Sequence, residues 1–144
     1  MPTRSELAAA YRATTYRVFL PGGALDLRLD QASPELSAWL ADNEMARWVV
    51  VTAWNPGSEC LSDQQNVARQ SALEVRLLEQ GFEPFAGENL ADAGDWPAED
   101  TCFVAGMDCD RGRELAREFG QAAIVCGDGT GVPRLMWTDG GDND

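Results

Sequence analysis

The run Trp48-Val49-Val50-Val51-Thr52-Ala53-Trp54 is apolar, β-branched or aromatic at every position. A strand of that composition has no face to give to water, so it reads as a central strand covered on both sides. Its neighbours supply the cover. Ser33-Pro34-Glu35 gives an N-cap, a proline in the first turn and an acid, opening a helix that places Leu36 and Leu40 on one face and ends near Asn43. Ser62-Asp63-Gln64-Gln65 fits a capping box, and the helix that follows runs to Gln80 before Gly81 stops it.

The outer parts of the chain read as sheet edge and crossover. Ser5 is placed to cap a short helix through Leu7 and Tyr11. Tyr16 to Leu20, the turn Pro21-Gly22-Gly23 and Ala24 to Asp30 form a hairpin, and Leu25, Leu27 and Leu29 alternate with charged residues as an edge strand would. Thr101 to Met107, a helix capped by Asp110 and closed by Gly120, and Ala122 to Cys126 make a strand–helix–strand unit, with Arg134 to Trp137 as a last strand. The Gly-, Asp- and Asn-rich stretch 87–97 has no periodicity and reads as a surface loop. The expected fold is therefore a single α/β domain over 1–139. It has a mixed β-sheet of about five to seven strands, an edge hairpin and about three to four helices packed on it. An acidic C-terminal tail occupies 140–144.

Composition excludes much chemistry. All eleven basic residues are arginine, and histidine is absent from the 144-residue chain. There is then no Ser-His-Asp triad, no imidazole metal ligand, no Schiff-base lysine and no P-loop lysine. A net charge of −13 repels phosphate backbones, so direct nucleic-acid binding is not expected. No secretory h-region and no membrane-spanning run is visible, which predicts a cytoplasmic protein. The four cysteines, Cys60, Cys102, Cys109 and Cys126, contain no C-x-x-C pair and are expected to be reduced and metal-free. Asp108-x-Asp110 fails as a calcium loop because Gly112 stands at position five, Arg113 at position six and basic residues crowd the site, and Gly127 to Gly131 enters a strand and makes no phosphate cradle. No cofactor is expected.

The most informative segment is Thr52-Ala53-Trp54-Asn55-Pro56-Gly57-Ser58 leading into the Ser62 helix, because α/β sheets place ligands where a buried strand ends beside a helix N-terminus. On a 3.6-residue wheel Asn66 falls within ~20° of Leu73 and Arg69 within ~40°, so two polar groups share the core-facing stripe. One reading is a pocket for a carboxylate, phosphate or nucleotide, with Arg69 supplying charge and the loop amides supplying donors. The other is structural: Asn55 makes an Asx-turn, and Arg69 pairs with Glu99 or another acid to pin the loop.

Thr52-Ala53-x-Asn55-Pro56-x-Ser58, Leu61-Ser62-Asp63 with Asn66 and Arg69, Trp96-Pro97-x-Glu99, Phe119-Gly120-Gln121-x-Ala123-Ile124 and the early Tyr11-Arg12-Ala13-Thr14-x-Tyr16 together resemble the bacterial domain-of-unknown-function family 3293. The resemblance implies that Asn55, Ser58, Asn66, Arg69, Glu99 and Gln121 belong to one recurring pattern. It carries no assigned activity and no catalytic residue. The expected function is a cytoplasmic binding or regulatory module with a pocket for a small polar or anionic ligand at the end of the central strand, or with a protein partner. The alternatives are an acidic inhibitor that mimics nucleic acid and binds a basic partner, and a carboxylate-dependent enzyme with Glu99 as base.

Overall fold

The computed structural model describes residues 3–139, so the acidic tail over 140–144 lies outside the described residues. The elements in chain order are α1 Arg4–Arg12, β1 Thr14–Leu20, β2 Gly23–Leu27, α2 Pro34–Asp42, β3 Arg47–Val51, α3 Asp63–Glu79, β4 Phe85–Ala91, β5 Glu99–Ala105, α4 Cys109–Glu118, β6 Ala123–Asp128 and β7 Arg134–Trp137. A 3-10 turn, Pro56–Ser58, lies between β3 and α3. The strands form one seven-stranded sheet in the order β2-β1-β4-β5-β3-β6-β7. The result is the α/β domain with an edge hairpin expected from the sequence. Every neighbouring pair runs antiparallel, where a mixed sheet was expected.

The reason lies in β3, which is threaded between the ends of the strand–helix–strand unit. β5 and β6 both run antiparallel to β3 and therefore parallel to each other, joined by α4 across it. β3 and β4 are related in the same way across β5, joined by α3. Each crossover skips one strand, and the inserted strand makes every contact antiparallel.

The double-faced apolar run does what its composition requires. Val50 and Trp48 join a core with Phe103, Val125, Leu36, Leu40 and Trp137 under α1 and α2. Val49 and Val51 join Leu73, Leu77, Val104, Leu115 and Ile124 under α3 and α4. Ser33 and Ser62 cap α2 and α3 as expected, the latter with Gln65 completing the box. Two caps differ by a few positions: Thr3, with Glu6, caps α1 in place of Ser5, and Asp108 caps α4 in place of Asp110. In both, the residue that accepts an amide from the first turn has extended backbone, and Ser5 and Asp110 already lie inside the helix.

Two further expectations are overturned. The stretch 87–97 is not a loop throughout, since Phe85–Ala91 is β4, an interior strand paired with β1 on one side and β5 on the other. Its polar composition hides it. Gly87 is obligatory there, because a Cβ would stand 2.6 Å from the Arg17 carbonyl oxygen and 2.6 Å from Thr101 Oγ1. The four thiols are not all free either: Cys109, opening α4, and Cys126, on β6, form a disulfide with Cα atoms 5.7 Å apart. The packing of α4 on β6 brings them to bonding distance, which a spacing of 17 residues does not reveal. Cys60 and Cys102 are free. No helix among the described residues is long and apolar enough to cross a membrane.

Candidate functional site

The chain leaves β3 through Thr52, Ala53 and Trp54 and turns at Asn55, whose backbone is left-handed (φ 45°, ψ 62°). Asparagine tolerates that region better than most residues because its short amide can bond locally. Here the amide is fully engaged. Asn55 Oδ1 accepts from the Leu61 N–H at 3.0 Å and from Asn66 Nδ2 at 2.8 Å, and the Asn55 N–H donates to Asn66 Oδ1 at 2.9 Å. Asn66, Gln70, Leu73 and Leu77 form the buried stripe of α3. Gln70 Oε1 accepts from the Ala53 N–H at 3.0 Å, so two side chains of one helix hold two loop amides, those of Ala53 and Asn55.

Arg69 lies beside that stripe, and its guanidinium meets no acid among the described residues. Nε donates to the Ala53 carbonyl at 2.8 Å and a terminal nitrogen donates to the Phe119 carbonyl, tying the end of β3 to the end of α4. Gln121 Nε2 donates to the Trp54 carbonyl at 3.0 Å, and the Gly57 N–H donates to the Gly120 carbonyl at 3.0 Å. The structural reading of Arg69 as a clamp therefore holds, with backbone carbonyls in the place expected for Glu99. The charge it was expected to offer an anion is already committed to the fold. Ser58 ends the 3-10 turn, and its side chain lies outside the described residues.

Glu99 faces the other side of the sheet. Its Oε2 accepts from Asn55 Nδ2 at 2.7 Å and from Trp96 Nε1 at 2.7 Å. Here a cleft of about 770 Å³ opens between α1 and the ends of β3, β5 and β6. Asn55, Glu99 and Gln121 line it, while Asn66 and Arg69 do not. Residues that sequence reasoning passed over line it too: Tyr11 of α1, Asn89 of β4, Thr101 of β5, and Trp54 and Trp96 from the loops. Asn89 and Glu99 are register partners, as are Gly87 and Thr101, so all four positions share one face of the sheet. Asn89 carries no local signal in the sequence and reaches the cleft through the pairing of β4 with β5.

The polar groups of the cleft are incompletely satisfied by the protein. Thr101 is 3% exposed and its Oγ1 has no hydrogen-bond partner among the described residues. Asn89 Oδ1 and Trp54 Nε1 are likewise buried and unpartnered. Burial and the negative charge of Glu99 push the Tyr11 phenol up to about 12, so it stays a neutral donor at any physiological pH. No group of three or more His, Cys, Asp or Glu among the described residues could hold a metal ion.

A family model described as "Protein of unknown function (DUF3293)" matches residues 51–124, from the last residue of β3 into β6. The chain belongs to DUF3293. Neither a curated protein nor a solved structure matches it. The matched segment of this DUF3293 chain contains the Asn55 turn, all of α3, β4, β5 and α4, and therefore both the clamp around Arg69 and the cleft floor at Asn89, Glu99 and Thr101. Tyr11 and the rest of α1, which roof the cleft, lie before it.

Proposed function

We propose that this chain is a binding module whose cleft, at the end of β3, takes a small polar ligand. The observation that carries the reading is the unpartnered polar floor. Burying a hydroxyl or carbonyl oxygen without a partner costs about 1–3 kcal/mol, and such groups are retained where something other than the protein bonds them. Thr101 Oγ1 and Asn89 Oδ1 stand side by side with Glu99 on one face of the sheet, under aromatic walls. A cleft of this size with a few converging polar groups is the usual form of a small-molecule site. The anchor of that site is the Asn55–Glu99 pair and not Arg69, so the ligand groups that matter are those a carboxylate, an amide oxygen and a hydroxyl can hold.

The test is a nuclear magnetic resonance titration of isotope-labelled protein with a library of small metabolite-like compounds. The indole N–H signals of Trp54 and Trp96 and the amides of Asn89 and Thr101 are expected to shift with saturable dependence for at least one compound class. Shifts confined to other surfaces, or none at all, would remove the cleft as a site.

A further inference from the structure

The character of the ligand follows from the charge and hydrogen-bonding polarity of the cleft wall. Glu6 of α1, Asp95 of the β4–β5 connection and Glu99 of β5 line it, and among the described residues no arginine does. Both protein donors that reach Glu99 fall on Oε2, so Oε1 has no protein partner among the described residues. Deeper in, Thr101 Oγ1 and Asn89 Oδ1 are buried and unbonded, and Thr101 as a whole is 3% exposed. Glu99 Oε1 and Asn89 Oδ1 can only accept, so these two oxygens need hydrogens from a ligand; Thr101 Oγ1 can accept or donate, and the unbonded Trp54 Nε1 is a neutral donor.

An anion in this cleft would meet the half-buried Glu99 carboxylate at reduced dielectric, where like-charge repulsion exceeds its value in water, and the exposed Glu6 and Asp95 would add a screened repulsion. An apolar molecule would leave the floor oxygens without partners. A cation with N–H groups satisfies both conditions, and the aromatic side chains of Tyr11, Trp54 and Trp96 line the cleft where they can attract positive charge. We propose that the cleft binds a small organic cation, a primary amine, amidinium or guanidinium on an apolar body, which donates to Glu99 Oε1 and to the Thr101 and Asn89 oxygens. This rests on the binding-module reading and reverses the anionic ligand that Arg69 suggested from sequence.

Matched probes separate the two ideas. Tryptamine, benzamidine, agmatine and spermidine form the cationic series, with N-acetyltryptamine as the neutral and indole-3-acetate as the anionic counterpart of the first. Resonance titration and calorimetry are run at 150 mM and 500 mM sodium chloride with wild type, Glu99→Gln and Thr101→Val. At least one cation is expected to move the Trp54, Trp96 and Thr101 signals. Where that cation is tryptamine, it should bind about tenfold or more tightly than its neutral counterpart, a difference of one decade in Kd. Glu99→Gln, which can still accept from Asn55 and Trp96, should weaken cation binding about tenfold, and Thr101→Val should weaken it severalfold. Equal or tighter binding of the neutral or anionic probe in the cleft would overturn the cation inference and leave the cleft a site. Cation binding that 500 mM salt abolishes and Glu99→Gln does not change would assign it to the acidic surface at large, overturning the inference as well. If neither these probes nor the wider library shift the cleft signals, the inference falls together with the binding-module reading.

Discussion

Asn55 Nδ2 donates to Glu99 Oε2 at 2.7 Å, joining the turn after β3 to the first residue of β5 across 44 positions of chain. The same amide accepts on its oxygen from Leu61 and from Asn66 of α3. One side chain therefore connects the clamp on the α3 side of the sheet to the cleft carboxylate on the α1 side. It orients Glu99 by occupying Oε2, so that Oε1 is the oxygen left without a protein partner.

That double duty makes Asn55 the most sensitive position of the loop. Asn55→Ala removes three side-chain hydrogen bonds, leaves Asn66 Nδ2 short of its main acceptor and puts a Cβ residue without a local amide in the left-handed region. A cost of about 3 kcal/mol is expected. Asn55→Gly, which relieves only the backbone, should recover about 1 kcal/mol of it. Urea denaturation of the three proteins reads both numbers. Equal stability of wild type and Asn55→Ala would show that the loop network contributes nothing to the fold.

Arg69→Ala separates the observed clamp from an acid-paired one. Because both acceptors are backbone carbonyls, no buried carboxylate is stranded when the guanidinium goes. The loss should be about 2 kcal/mol, the worth of part-buried charge-assisted bonds, and short of the 3–5 kcal/mol that follows from unpairing a buried acid. Arg69→Lys should restore little, since one ammonium on a flexible stem does not span two carbonyls on separate elements as the planar fork does. A loss above about 4 kcal/mol in Arg69→Ala would point to a carboxylate partner in solution.

Much of this architecture is legible in the sequence where a local rule operates. The capping residues Ser33 and Ser62, the hairpin glycines and the run Trp48 to Trp54 each act through neighbours in the chain, and each marks the element found. β4 escapes because its pattern is set by what lies on its two faces. One face carries Gly87 and floors the cleft at Asn89 and Ala91, and on the other Ala86 is exposed and Glu88 half-buried, so neither carries the apolar stripe that marks a strand. The cleft was half visible for the same reason. Asn55, Glu99 and Gln121 flank recognisable turns, whereas Tyr11, Asn89 and Thr101 join them only through the pairing of β1, β4 and β5. The wheel that put Asn66 and Arg69 on the inner side of α3 was right about the face, but the contacts made there are with loop backbone and the Asn55 side chain.

The disulfide gives a thiol count. Without reductant, two thiols are expected per chain, the exposed Cys60 reacting at once with a chromogenic disulfide and the buried Cys102 only after denaturation. After reduction and denaturation all four should react. Breaking the Cys109–Cys126 link, which closes a loop of 17 residues, should cost about 2–4 kcal/mol whether by reductant or by Cys126→Ala. Four reactive thiols in protein never exposed to reductant, or identical melting with and without it, would argue that the bond does not form.

Alkaline pH should destabilise the fold in a way assignable to one buried thiol. Burial, with the negative charges of Glu74 and Asp100 adding to it, pushes the Cys102 thiol from its ordinary 9.0 up to about 12, while the bond from Gln70 Nε2 opposes the rise. The folded state therefore keeps a proton that the unfolded chain releases. Stability is fully present below pH 9, falls as pH rises through the interval from 9 to 12, and falls faster above pH 10, where Tyr11 and Tyr16, both raised by burial, add the same imbalance. Urea midpoints at pH 8, 9.5 and 10.5 measure the slope. A Cys60→Ser background keeps an exposed thiolate from attacking the Cys109–Cys126 bond. Cys102→Ala in that background should flatten the fall between pH 9 and 10 and leave the tyrosine-dependent part above it. A slope unchanged by Cys102→Ala would mean that the thiol ionises as readily folded as unfolded, and that β5 is open to water at this position.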